Sequence, residues 1–522
     1  MEISLARARG PRMRPLASCL ALAIAFGTGP LAAAPTRTPS DHPAINRMLT
    51  HLGPALDPNY VPPARDREAA FLHHVMKPLP NVHPALPLAP VPVTNCNDSG
   101  PGSLRDAIDN VAVSGDTIDL TNTGCSLITL TTGNIFVTQE DLTLQGPGSG
   151  ALSISGNDAY SLRHTGTGTF GVYDLGIYDG RKYLDASYNL DAKGGCIYSS
   201  GTLALSGDFL KYCVADTANT SYTAQGGAVY AKTGVVMVNS TVVLGTAGGT
   251  SLGFGGGILT PGSIVMAYSE VGFSSARLYG GGLWASDGLL MKYSSILYNQ
   301  AYFGGGTYAA GTITVLNSTI ANNDATGVAG GAFLASGSNA TNITNSTISG
   351  NTGQVVGGAA VLTYAGSISN STVANNVEAN GANAKYGGGL YLAGTIDMES
   401  TIVATNSLNH STYGLLPDDM GGPATTLTGA NNMTMFVVAP LAAPAGTLYE
   451  DPLLQSLSYN GGLTATQALT IDSPAIDTGN NNAALSYDQR GTGYPRTIGP
   501  ATDIGAFEFN SDDVIFANGF DP

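Results

Sequence analysis

The sequence predicts an all-β fold in which the chain winds as a parallel β-helix solenoid, and three observations carry that expectation. First, a glycine pair or triplet recurs at Gly194, Gly226, Gly255, Gly280, Gly304, Gly330, Gly357 and Gly387, in steps of 24 to 32 residues. A fixed period in this range marks stacked repeats. Second, apolar residues within a unit alternate, as at Leu203/Leu205, Val235/Met237, Ile264/Met266, Leu289/Met291 and Ile313/Val315. A period of two is a strand. Third, the step from Val315 to Ile320 is odd, so the inward parity flips between them. A flat strand cannot do that, but a corner at Asn317-Ser318 can. Each unit then reads as short strands bent around a closed turn and stacked about 4.8 Å apart on the next unit. About 10–13 such coils fit the chain, with a short helix covering the first.

The N-terminus reads as an export signal over residues 1–34. Arg7, Arg9, Arg12 and Arg14 precede an apolar stretch, Leu16–Phe26, and small residues follow at Leu31–Ala34. Residues 35–93 are proline-rich and read as an extended linker, with His73-His74 as a solvated pair inside it. Residues 94–193 hold the cap and first coils. Ser103–Ile108 has helical spacing with Ser103 or Asp98 available to cap it, and Gly115–Ile118 enters the first strand. The regular array spans 194–406. Its phrases Asn239-Ser-Thr-Val, Asn317-Ser-Thr-Ile, Asn345-Ser-Thr-Ile and Asn370-Ser-Thr-Val recur at one place in the coil. Asn299, Asn323, Asn351 and Asn376 follow at a fixed distance, so their amides are expected to stack and bond along the axis. Residues 407–509 are turn-rich, as a C-terminal cap would be, and 510–522 form a tail.

Four cysteines remain once the signal, with Cys19, is removed: Cys96, Cys125, Cys196 and Cys213. An even number in an exported chain favours disulfides, and Cys96–Cys125 with Cys196–Cys213 is the preferred one of three pairings. None of them has C-x-x-C spacing, so zinc is not expected. The formal net charge of −16 argues against nucleic acid or an anionic membrane as partner. No apolar run reaches the length of a membrane helix. A monomer is expected.

Chemistry-bearing residues are sparse in the array. The acids Asp208, Asp216, Glu270, Asp287, Asp324, Glu378, Asp397 and Glu399 sit at different phases of the repeat, and no histidine accompanies them. Asp418-Asp419 is a pair within a Pro/Gly loop. Glycosidic cleavage needs a matched pair of acids, or a base beside acids, and no such cluster is readable. No catalytic residue, metal or cofactor is assigned. Asp472, Asp477, Asn480, Asn481, Asp488 and Asp503 are turn oxygens of the kind Ca²⁺ takes, though their spacing fits no calcium motif. One outward stripe is the candidate binding face: Tyr198, Tyr230, Leu259, Trp284, Tyr308, Leu334, Val361 and Tyr391 each follow an opening glycine by four. The aromatic members Tyr198, Tyr230, Trp284, Tyr308 and Tyr391 would form a platform for sugar rings or a partner protein. The competing reading is an internal aromatic stack.

The φ-x-x-Asn phrases Ile320…Asn323, Ile348…Asn351 and Val373…Asn376 resemble polymorphic outer-membrane protein repeats. The segments Ser99–Ile108, Ser473–Asp477, Asp488-Gln-Arg-Gly491 and Asp503–Glu508 are similar to those of exported, pectate-lyase-like β-helix proteins that end in a choice-of-anchor type region. That resemblance covers roughly residues 94–509. Ile515–Phe520 looks like a short terminal tag. The resemblance implies right-handed coils and a secreted or outer-membrane surface protein of adhesin-like kind, with no catalytic residues to carry over. The expected function is therefore structural or adhesive, with a glycan or cell-surface protein held along one face. The rival expectation is a polysaccharide lyase or glycoside hydrolase on the same fold.

Overall fold

The computed structural model describes residues 90–511, apart from 250, 381–385 and 424–425. The expected signal peptide with Cys19, the linker up to residue 89 with His73-His74, and the tail from residue 512 with Ile515–Phe520 lie outside the described residues.

The described chain is a parallel β-solenoid of about twelve turns, since one of its sheets collects twelve strands, one from each coil. The coil opening at Gly304 shows the plan. Thr307–Ala310 and Thr312–Leu316 lie in the first sheet, Thr319–Ala321 in the second and Asp324–Val328 in the third. Pairing is parallel and in register along the core: Met266, Met291, Val315, Ile343, Ile368 and Met398 succeed one another at one inward position. All six are buried in one apolar cluster that runs the length of the solenoid. Ser407–His410 and Gly414–Pro417 depart from the rule and pair antiparallel as a hairpin.

The parity flip falls where the residue spacing placed it. Asn317 has φ 50°, and Asn345, Asn370 and Ser400 repeat this left-handed corner in later coils. Asparagine tolerates that conformation through its short polar side chain. Tyr268 and Tyr293 adopt it as well, at a steric cost. Backbone ladders offset that cost. The residue after the corner is a serine, or Thr401 after Ser400, whose hydroxyl takes the N–H of the coil before: Ser240 N to Ser269 Oγ 3.2 Å, Ser269 to Ser294 3.1 Å, Ser294 to Ser318 3.2 Å and Ser318 to Ser346 3.1 Å.

At the next corner the expected amide ladder is present. Asn299 N donates to Asn323 Oδ1 at 2.9 Å, Asn323 to Asn351 at 2.9 Å and Asn351 to Asn376 at 3.0 Å. The column continues through Asn406 to Asp419, which accepts from Asn406 N at 2.9 Å. The third glycine of each opening triplet packs against these amides. A Cβ on Gly306 would stand 2.9 Å from Asn323 Cγ, which is why the position carries no side chain.

At the N-terminal end, Leu104–Val111 is helical and buries Leu104, Ala107 and Ile108 over the first coil. Ser103 supplies the cap by accepting from Asp106 N. Asp98, the other capping candidate, instead pairs with Arg105 at 2.7 Å and accepts from the N–H groups of Thr131 and Thr132. The chain joins the first sheet already at Val91–Pro92, inside the segment read as linker. Both disulfides have the expected pairing, Cys96–Cys125 and Cys196–Cys213.

The C-terminal region does more than close the last coil. Met420 and Leu441 are buried in the apolar core at that end, but residues 464–507 then run back along the outside of the second sheet. Thr319 Oγ1 donates to Ala465 O, Thr347 Oγ1 to Gln489 Oε1 and Asn345 Nδ2 to Tyr487 O, while Thr372 Oγ1 accepts from Ala506 N. Ile402, Leu469, Ala475, Ile504 and Phe507 make a second apolar cluster beneath this strap. The threonines that recur in the Ser-Thr-Ile phrases are its docking row.

Candidate functional site

Strand pairing places the aromatic stripe on the outside of the corner between the third and first sheets. Tyr198, Tyr230, Leu259 and Trp284 are register partners in turn, and Trp284 is followed by Tyr308. The residues just before them, Ile197, Val229, Ile258 and Leu283, are fully buried, so the stripe faces away from the core. Beyond Tyr308 the expected membership is corrected. Tyr308 pairs with Phe333, which pairs with Ala360, which pairs with Tyr391. Leu334 and Val361 point into the core. The reason is at the corner: Ala329, at φ 58°, holds the left-handed position that Gly304 holds one coil earlier, so Gly330 is the second residue of its triplet.

The stripe is half of a double column. Phe254, Tyr279 and Phe303, each just before an opening glycine, stack on one another at 5.5 and 4.9 Å. They meet Trp284, Tyr308 and Phe333 edge to face at 6.5, 5.0 and 6.3 Å. The signal for this second column, an aromatic residue directly before the glycine run, was present in the sequence and was missed. Within the first column, Tyr198–Tyr230, Trp284–Tyr308 and Tyr308–Phe333 stack at 5.5, 6.3 and 5.2 Å with nearly parallel planes. Ring faces are therefore largely spent on other rings. Tyr230, Tyr308 and Phe333 are buried, whereas Tyr198, Trp284 and Tyr391 stay half-buried with their edges in reach of solvent. The column is a self-packed ribbon outside the core, with edges and hydroxyls to offer a ligand lying along the axis.

Cations gather at one end of the ribbon. The Arg163 guanidinium lies 4.4 Å over the Tyr198 ring and donates to the Lys193 carbonyl at 3.0 Å; Lys193 lies 5.0 Å over Tyr230. Desolvation lowers Arg163 to about 10, with the Tyr198 phenol opposing the shift.

Carboxyl groups converge in two buried places. Asp418 and Glu378 face each other at the C-terminal end, and burial raises both; Asp418 raises Glu378 further, whereas the Glu378 hydrogen bond opposes the rise of Asp418. Asp419, its sequence neighbour, serves the amide ladder instead, so the Asp418-Asp419 pair is split by role. The second place is the strap. Asp488 pairs with Arg490 at 2.8 Å and Glu508 with Arg496 at 3.7 Å, all four side chains at most 2% exposed. The turn oxygens considered for Ca²⁺ are engaged here in backbone bonds: Asp503 accepts from Asp477 N and Phe509 N, Asn480 from Asn482 N and Asn481 from Leu485 N. Asp208 is also fully buried, accepting from Leu175 N and Ser206 N at the head of the serine ladder.

These carboxyls give stability an unusual pH slope. Burial pushes Glu508 up to about 8, Glu270 to about 7 and Asp503 to about 6. Folded values above unfolded ones mean that the folded chain binds more protons, so the stability these groups contribute is whole below about pH 4 and is lost as pH rises through 6 to 8. The melting temperature is expected to fall between pH 5 and pH 9, and Glu508→Gln is expected to flatten the fall. A melting temperature that rises over that interval contradicts the assignment.

No family model and no curated protein matches the sequence. The solved structure of the pectate lyase Pel9A is similar at a TM-score of 0.36 and 13% identity, covering 81% of this chain and 98% of that one. That likeness concerns the β-helix architecture alone.

Proposed function

We propose that this chain is a secreted or surface-displayed structural β-helix of adhesive function, which holds a glycan or a cell-surface partner along the aromatic corner without catalysis. The observation that carries the reading is the outward column of rings from Tyr198 to Phe333, interrupted at Leu259 and doubled by Phe254, Tyr279 and Phe303, with cations at one end. Rings repeated once per coil suit an extended polymer lying along the axis better than a compact substrate, because each coil offers the same edge again. The two disulfides fit an oxidising, extracellular setting. Among the described residues, no helix is long and apolar enough to cross a membrane.

The test is glycan-array binding by the full chain and by Trp284→Ala. Trp284 is half-buried and contacts Tyr308 and Phe254, so its loss is expected to cost about 1–2 kcal/mol of stability. Array binding is expected to fall at least tenfold while the protein stays folded. Unchanged binding with a lower melting temperature would reduce the column to a stabilising spine.

A further inference from the structure

Near the start of the solenoid, Arg181–Leu184 is the first strand of the third sheet. Lys182 occupies the register position that the following coils give to Ala215, Ala247 and Ala276, the first two fully buried. An alanine column that begins with a lysine puts an ammonium group where its successors put a methyl. Lys182 has no hydrogen-bond or ion-pair partner among the described residues. Arg163 stands close enough to disfavour its charge, which burial disfavours more. Next to it, Arg181 binds Asp158 through Nη1 at 3.2 Å, but its Nε is buried and has no acceptor. Two cations with donors to spare are an unfinished arrangement, because buried donors are nearly always satisfied.

They line a cavity of about 330 Å³ together with Asn134, Asp158, Ala159 and Tyr183. Asn134 Oδ1 already accepts from Ser161 N and Oγ, which leaves the amide NH₂ as a further donor. Tyr183 is half-exposed; the Arg181 guanidinium lies 5.6 Å over one face of its ring, and the other face is the apolar one on offer. A flat aromatic face, an amide donor and two under-used cations are what one sugar ring carrying an anionic group would use.

We infer that this cavity binds a single anionic sugar unit, its carboxylate or sulfate held by Lys182 and the exposed edge of the Arg181 guanidinium and its ring laid against Tyr183. The inference rests on the glycan reading above and gives the charge of the ligand at the N-terminal end of that surface. It is tested by calorimetric titration of the full chain with D-glucuronate, D-glucose 6-sulfate, D-glucose and inorganic sulfate. The two acids distinguish a carboxylate from a sulfate ligand. At least one acid is expected to bind ten times more tightly than glucose. Lys182→Ala, which installs the residue the next coils carry at this position, is expected to lose that preference at least tenfold with an unchanged melting temperature. Tyr183→Ala is expected to weaken the sugar and leave inorganic sulfate unaffected.

No binding of either acid overturns the inference, as does acid binding that survives Lys182→Ala. Inorganic sulfate binding as tightly as the sugars overturns the sugar assignment and leaves a bare anion site. Trp284→Ala separates the two proposals, since it is expected to spare these monosaccharides while abolishing polymer binding at the corner.

Discussion

Replacing Asn351 by alanine is expected to destabilise the solenoid by about 3–5 kcal/mol, a large effect for an uncharged polar residue. Asn351 is fully buried and has four side-chain bonds. Its Oδ1 accepts from Asn323 N at 2.9 Å and Asn323 Nδ2 at 3.0 Å, and its Nδ2 donates to Ile320 O at 3.0 Å and Asn376 Oδ1 at 2.9 Å. Alanine leaves the Asn323 N–H without its acceptor and takes a bond each from the Asn323 amide, which keeps only Ile296 O, and from the Ile320 carbonyl, in a dry interior. Each such group costs about 1–3 kcal/mol. The amide also fills the space beside Gly331, where a Cβ would stand 3.0 Å from Asn351 Cγ, so its removal opens a void as well. Because coils stabilise one another through their neighbours, the damage is expected to spread to adjoining coils. Asn322→Gly is the control. Asn322 sits at a left-handed corner with φ 56°, where the next coil already has Gly350, so the change is expected to stay within about 0.5 kcal/mol. Denaturant unfolding of the three proteins checks both outcomes. Equal midpoints for Asn351→Ala and the native chain would mean that the ladder bonds are replaceable.

Arg490→Ala is expected to cost about 3–5 kcal/mol and to release the strap before the solenoid melts. The guanidinium lies between the Tyr494 and Phe507 rings at 4.0 and 3.8 Å. It bonds Asp488 Oδ2 through Nε at 2.9 Å and the Glu508 carbonyl through Nη2 at 2.7 Å. Alanine removes the packing and leaves Asp488 buried without its counter-ion. Burial already raises Asp488, and the loss of Arg490 raises it further, so the variant is expected to weaken most at neutral and higher pH. Arg490→Lys is not expected to rescue it, since an ammonium group cannot stack between two rings and fork to two acceptors. Limited proteolysis reads the result: new cuts within 464–509 with the coils intact. Native-like resistance in Arg490→Ala would mean that Thr319, Thr347 and Thr372 hold the strap by themselves.

What could be read from the sequence was what repeats. The coil, the corner at Asn317-Ser318 and the Asn299-to-Asn376 ladder each appear many times, so noise in one unit is averaged by the rest. The serine ladder uses the same phrases but is not legible in them, because a serine beside a threonine does not announce which hydroxyl turns inward. Counting from Gly330 as the start of its unit puts Leu334 on the surface, the place that Phe333 takes. The conformation of Ala329 fixes that count, and no composition rule supplies it. The strap occurs once and docks across more than a hundred residues of chain, as in the Thr319–Ala465 bond, so periodicity carries no trace of it. Lys182 became meaningful only through its register with Ala215.

The proposed adhesive role requires a face that retains polymers and does not cut them. Purified protein held with the polysaccharide it binds most tightly, and assayed for new reducing ends and unsaturated uronates, tests this directly. Retention through many hours with no new ends is the predicted result. Sustained release of either product, abolished by a single substitution on the solenoid, would contradict it.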